Sequence, residues 1–404
     1  MTRPLDGVRV IEVAGWMAAP GAAAVLSDLG ADVVKVEPLR GDPVRGVIRQ
    51  PEVDPPLDAP FQMDNRGKRG IAVALDRPEG QELVRRLCDG ADVFLNNLLS
   101  RRQEKFGLDP ATLLARNSAL VHATLTGYGL DGPDAARPGF DITTFFGRGG
   151  ITHSITEPGE QAPRARPAQG DHAAALAMLA AVLASLRVVE RTGAGQVVDV
   201  NLLATAAWTM GTDLSSTLVD GQDPLTLGRR RRRHALQESF RTSDGRWILL
   251  FMPEPHWWPR FCAAVGRPEW VRDPRLETFA ARLEHMSDVT DLMDALFAER
   301  TLAEWGQVLD GADLTWAPAA TVSEVAADPH AAAAGTFPVV SHPVAGDFRT
   351  VAVPMRLPGQ DIGPRGPAPD LGQHTREVLS ELGLSQVELD ALITDGTVSD
   401  GSAG

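Results

Sequence analysis

Apolar residues in the first third of the chain fall into short continuous runs separated by small-residue or amphipathic stretches. Residues 8–13 (VRVIEV) and 32–37 (DVVKVE) read as strands, and the Ala-rich stretch 18–29 between them as a helix. Further strands are expected at 71–74, 91–95 and 119–126, with a helix opening at Pro78 and Glu79. This alternation implies a mostly parallel sheet covered by helices through right-handed crossovers. Residues 171–189 read as one long helix, apolar on most sides and so expected to be buried. A strand at 196–200 and a helix at 202–214 follow.

The pattern then changes. Residues 220–234 carry Gly221, Pro224, Gly228 and five consecutive arginines at 229–233, and read as a linker or loop. Beyond it, 247–252 reads as a strand and 256–265, 289–298 and 302–309 as amphipathic helices, a grouping that suggests a smaller domain. The tail returns to β character at 348–353 and runs through a Pro/Gly-rich strap at 358–369. Helices at 374–382 and 386–392 close it, and 396–404, rich in Ser, Gly and Asp, is expected to fray.

Length and charge narrow the picture. A chain of 404 residues is long enough for two domains. Its 39 basic and 53 acidic side chains give a net charge of −14, a poor match to nucleic acid or an anionic membrane surface. Cys88 and Cys262 sit in unrelated contexts with no CxxC, which fits a reducing cytoplasm. The first residues lack the apolar core of a signal peptide, and the Ala-rich stretch 173–186 is too short to span a bilayer.

The first βαβ unit invites comparison with dinucleotide sites, because Glu37 ends its second strand where an acid would bind a ribose. The turn at 15–21 (GWMAAPG) is not GxGxxG, however, and Pro20 removes an amide a phosphate could use. Asp171 follows Gly170 at the head of the long helix. From position alone it is an ordinary N-cap. The chemical alternative is a nucleophile, a carboxylate kept ionised and oriented by the helix terminus, with nearby amides to stabilise an oxyanion and Gly170 admitting a large group close to the backbone. His172 is expected to point elsewhere, and His122 lies in a buried-looking strand. No spacing of His, Cys, Asp or Glu resembles a metal site. The arginine run reads as a solvated loop or as one that meets phosphates or an acidic substrate; nucleic acid is a weak option without interleaved aromatics.

Several segments together resemble the class III CoA-transferases, the family that includes formyl-CoA and carnitine CoA-transferases and the alpha-methylacyl-CoA racemases. They are 4–12 (PLDGVRVIE), 29–38 (LGADVVKVEP), 65–69 (NRGKR), 91–97 (ADVFLNN), 137–141 (RPGFD), Gly170-Asp171, 192–200 (TGAGQVVDV) and 367–375 (PAPDLGQHT). The resemblance runs in order from residue 4 to 395. It implies an α/β fold: a large Rossmann-like parallel-sheet domain from residues 1–218 and 336–404, and a smaller α+β domain within 219–335 joined by two linkers. It also implies an interlocked homodimer.

What the resemblance implies for function is transfer of CoA from an acyl-CoA to a carboxylic acid through a covalent intermediate on Asp171. CoA is then a substrate, and no tightly bound cofactor or metal is needed. Arg40, Lys68, Arg69, Arg102 and Lys105 are the implied phosphate contacts, and Asn97 and Leu98 the lining of the nucleotide site. Met17, Phe140, Gly170 and Glu254 fall in the substrate pocket. The racemases carry a histidine where this chain has Phe140, and an aromatic cannot move a proton. A racemase or epimerase remains the alternative, because Glu254-Pro255 resembles a racemase feature. Met17 replaces the glutamine of the formyl-CoA enzyme, which argues against oxalate-type specificity.

Overall fold

The computed structural model describes residues 2–46, 57–224, 228 and 234–402. The arginine run at 229–233 lies outside them. The chain divides into two compact units: residues 1–155, 163–222 and 330–404 form the first, and 156–162 with 223–329 the second.

The first unit is built on strands β1 (Arg9–Val13), β2 (Asp32–Glu37), β3 (Arg69–Val73), β4 (Val93–Asn96), β5 (Val121–Thr126) and β6 (Gln196–Asn201). They lie in the order β3-β2-β1-β4-β5-β6, all parallel. The reversal between β1 and β4 leaves a crevice beyond the carboxyl ends of the strands, where ligands bind in open α/β sheets. Residues expected to fray instead close the sheet: Val398–Ser399 pairs antiparallel with Val73 and Ala72, and the Thr375 hydroxyl donates to the Ser399 carbonyl.

The continuous apolar runs follow from burial on both faces. Along β1, Val10 joins the core beneath α1 (Ala18–Asp28), and the next residue, Ile11, joins the core on the opposite face. That second core is covered by α3 (Pro78–Asp89), α4 (Ser100–Phe106) and α5 (Pro110–Arg116), together with the closing helices Thr375–Glu381 and Gln386–Thr394. The short α2 (Ala59–Asn65) follows β2, capped by Asp58.

Helix α6 (Ile151–Ser154) precedes α7 (Gln169–Thr192), the long helix. Every residue of α1 is buried, and its alanines let it pack closely against α7. α7 is less buried than its composition suggests: Ala174, Ala175, Met178, Leu179 and Val182 face the core, and Leu176 and Val188 are open to solvent. By length and composition alone it is the one helix among the described residues long and apolar enough for a membrane span, a test that a core helix packed as this one is also passes. The helix expected at 202–214 breaks at Met210 into α8 (Leu202–Thr209) and α9 (Gly211–Asp220). The β character near 348–353 is a hairpin of Val339–His342 with Gly346–Arg349.

The second unit has a three-stranded antiparallel sheet, Ser239–Arg241, Trp247–Leu250 and Trp316–Pro318. Helices Trp257–Ala264, Met286–Phe297 and Leu302–Asp310 share a core with it around Phe240, Phe261, Phe297 and Trp305.

Candidate active site

Helix α7 does not start as its sequence suggests. Its N-cap position is Ala168, in the left-handed region at φ 74°, and Asp171 lies three residues further in, within the first turn. The capping acceptor is supplied from elsewhere. Asp141 Oδ1 accepts the Gly170 N–H at 3.0 Å. Asp141 opens a π-helical stretch, Asp141–Arg148, a rare geometry that tends to occur at functional sites. Gly139 lets the chain reach that point, since a Cβ there would meet Thr144 Oγ1 at 2.5 Å and Gly127 Cα, just past β5, at 2.9 Å. Gly170 answers the same need. Its Cβ would lie 2.2 Å from Phe145 Cγ and 2.3 Å from Asp141 Oδ1. Its missing side chain makes room for residues of its own chain rather than for a large ligand, and its amide is already engaged, so it is not free for an oxyanion.

With Asp141 as the cap, the Asp171 carboxylate is released from structural duty. It is also not the ordinary ionised group expected at a helix N-terminus. Burial, then the charge of Asp141 and to a lesser degree Asp64, push it up to about 7, while His172 acts in the opposite direction. Burial also raises Asp141, whose Oδ2 is buried without a hydrogen-bond partner. His172 does not point away from this cluster. Its Nε2 lies 3.1 Å from Oδ1 of the buried Asp64, which raises its affinity for a proton.

Beneath the strand ends lies a buried ionic network that sequence reading missed. Lys35 Nζ donates to Glu12 Oε1 at 3.0 Å, Asp42 Oδ2 at 2.8 Å and the Ala14 carbonyl at 3.0 Å. Lys68 Nζ pairs with Glu12 Oε2 at 2.7 Å and donates to Asn65 Oδ1 and to the carbonyls of Pro20 and Asp64. Burial lowers Lys68 to about 8 despite Glu12, whereas carboxylates raise Lys35 in spite of its burial. Both ammonium groups thus tie loops together. Asp42 also accepts the Trp16 N–H at 3.1 Å, holding Trp16 in the left-handed region at φ 67°. Backbone strain of that kind, on the order of 1–3 kcal/mol, is typical of functional sites. Trp16 meets Phe140 edge to face at 5.3 Å between ring centres, and both are substantially exposed.

A cavity of about 510 Å³ opens at the carboxyl ends of β1 to β4. Arg40, Asn97, Leu98 and Arg102 line it, together with Trp16 and Phe106. Asn97 holds the turn after β1 through both Gly15 backbone groups. Lys105 and Arg102 lie over the Phe106 ring at 5.8 and 5.7 Å. Two expected phosphate contacts are engaged elsewhere. Lys68 is fully buried in the network above, and Arg69 pairs with Asp32, Glu377 and Glu381. Glu37, the would-be ribose acid, instead accepts from Arg45 and the Asp42 amide. Met17 is buried with Val44, Phe61, Ala168 and Ala368 rather than lining the cavity. Glu254 belongs to the second unit, exposed and accepting from Trp257 Nε1 at 2.6 Å. His122 is buried neutral against the Leu108 carbonyl. Among the described residues, no group of three His, Cys, Asp or Glu side chains is placed to hold a metal.

A family model described as CoA-transferase family III matches residues 5–375. The chain is 31% identical over 390 residues to the (R)-2-hydroxy-4-methylpentanoate CoA-transferase of Clostridioides difficile, covering 96% of this chain and 97% of that protein. It is 29% identical over 406 residues to the cinnamoyl-CoA:phenyllactate CoA-transferase of Clostridium sporogenes, covering 98% and 97%. The crystal structure of a CaiB/BaiF family protein from Brucella suis superposes with a TM-score of 0.84 at 29% identity, covering 95% of this chain and all of that one. These comparisons favour a CoA-transferase over the racemase alternative.

Proposed function

The chain belongs to CoA-transferase family III and is a CoA-transferase, and from that premise we propose that Asp171 carries the acyl group in a covalent cycle. The observation behind this reading is that Asp171 sits in the first turn of α7 with its capping role taken by Asp141, and burial beside like charges makes its carboxylate more basic than an ordinary one. A basic carboxylate is a better nucleophile toward a thioester.

The cycle balances without a metal, a redox partner or a net proton. An Asp171 oxygen attacks the donor acyl carbonyl, the carbon–sulfur bond breaks, and CoA leaves as thiolate. The thiolate attacks the aspartyl carbonyl of the resulting anhydride, releasing the donor acid and leaving an aspartyl-CoA thioester. The acceptor carboxylate attacks that thioester and expels the thiolate again. The thiolate finally takes the acceptor acyl group, restoring the Asp171 carboxylate.

Arg40 and Arg102 meet the CoA phosphates in the cavity, with Lys105 over the ring of Phe106, which lines it, and Asn97 and Leu98 against the nucleotide. The exposed edges of Trp16 and Phe140 suit an acid with an apolar side chain better than a dicarboxylate. That matches the names of two relatives, which specify 2-hydroxy-4-methylpentanoate and phenyllactate. An interlocked homodimer belongs to the same proposal, and analytical ultracentrifugation measures it. The chemical core is tested with Asp171→Ala: transfer between acyl-CoA and free acid disappears, and calorimetry shows CoA binding retained. Turnover at the wild-type rate in that variant would refute the covalent role.

A further inference from the structure

Three acidic side chains converge at the head of α7: Asp171, Asp141 and Asp64. Left to themselves they would suppress ionisation of the residue proposed to attack the thioester. One positive group stands among them. His172 follows Asp171 in the helix, and its Nε2 lies 3.1 Å from Oδ1 and 3.4 Å from Oδ2 of Asp64. Asp64 is buried, and its backbone carbonyl accepts from Lys68 Nζ at 2.8 Å. The space for this contact comes from Gly21 of α1. A Cβ there would meet Asp64 Oδ1 at 3.3 Å and His172 Cδ2 at 3.6 Å.

We propose that His172 is a positioning residue: held as an imidazolium by Asp64, it supplies the positive charge that keeps Asp171 ionised between its acidic neighbours. The proposal rests on the reading of Asp171 as nucleophile. Among the described residues, no other cation acts on Asp171. The charged groups facing the histidine are Asp64 from α2, Asp171 from α7 and Asp141 from the π-helical stretch. α1 carries no charged residue before Asp28, which is paired with Arg66, and α8 carries none. Arg148 of the π-helical stretch is paired with Asp134. On the strands beside α7, His122 is bound to the Leu108 carbonyl and Asp199 accepts the Leu130 N–H. Lys68 stands behind Asp64 and pairs with Glu12, completing a line of alternating charge from the floor of the sheet to the nucleophile.

The sign follows from the charges. An imidazolium favours the carboxylate form of Asp171, so its loss moves the acid limb of Asp171 acylation to higher pH. In His172→Asn that limb rises by about one pH unit, and acylation from acyl-CoA at pH 6 falls roughly tenfold, with the plateau at high pH preserved. His172→Lys, which restores a cation, returns the limb toward its wild-type position. In Asp64→Asn, the His172 titration followed by NMR moves to lower pH. A lesion that merely loosened the fold would lower the plateau in both His172 variants and leave the limb in place. An unchanged limb in His172→Asn with acylation otherwise measurable overturns the inference. Absence of any acyl-Asp171 in the wild-type protein would overturn the functional reading instead, and the NMR titration would still report the Asp64–His172 contact.

Discussion

Asp171→Asn distinguishes a nucleophile from a cap through the sign of its effect on stability. The amide has the same shape and caps a helix about as well as the acid, so a structural Asp171 would give a variant of nearly unchanged stability at every pH. The geometry predicts a pH-dependent gain. In the unfolded chain the carboxyl ionises near 3.8, and in the fold near 7. Between those values the folded state holds the extra proton, so this group's contribution to stability declines as pH rises, and the decline is complete above about 7. From pH 5 to pH 8 the full shift corresponds to at most about 2.7 kcal/mol. Solvent at the half-buried carboxylate reduces that to about 1–2 kcal/mol. Urea unfolding of wild type and Asp171→Asn at the two pH values, followed by tryptophan fluorescence, isolates the group, because other titrations are common to both proteins. The variant's advantage grows with pH. A constant difference, or one that shrinks toward pH 8, would refute the claim that like charges and burial hold Asp171 ready for chemistry.

Gly170→Ala forces a Cβ to within 2.3 Å of Asp141 Oδ1 and Phe145 Cγ; overpacking and loss of the charged cap together cost about 2–4 kcal/mol in urea unfolding and remove acylation. Lys68→Met leaves Glu12 without one of its two buried cations, destabilising the protein by about 3–5 kcal/mol, and adding Glu12→Gln recovers part of the loss. Arg102→Ala weakens CoA binding about tenfold by calorimetry, and the defect narrows at high salt as phosphate contacts are screened.

The strands of the sheet were legible because burial on both faces leaves near-continuous β-branched runs, as in Val33, Val34 and Val36 around Lys35. Gly170-Asp171 stood out in the sequence only as part of the family pattern. Its cap could not be read locally, because Asp141 lies 29 residues away and reaches Gly170 through a π-helical turn that no periodicity announces. Lys68 and Arg69 were expected as phosphate ligands from the family resemblance alone. Their engagement by Glu12, Asp32, Glu377 and Glu381 depends on side chains distant in sequence. The closing strand at Val398–Ser399 was hidden by Gly, Ser and Asp, residues that favour turns, and only the exposed edge of β3 gives it a partner. His172 was dismissed on helical spacing, yet its partner comes from α2 across the core rather than from its own helix.

The covalent role of Asp171 is tested most directly by trapping. The protein is incubated with an acyl-CoA donor and quenched with hydroxylamine, and the peptide containing Asp171 is analysed by mass spectrometry. An aspartyl hydroxamate at Asp171, absent without donor and absent in Asp171→Ala, is the predicted result. An unmodified Asp171 peptide from protein that demonstrably bound the donor and turned it over would contradict it.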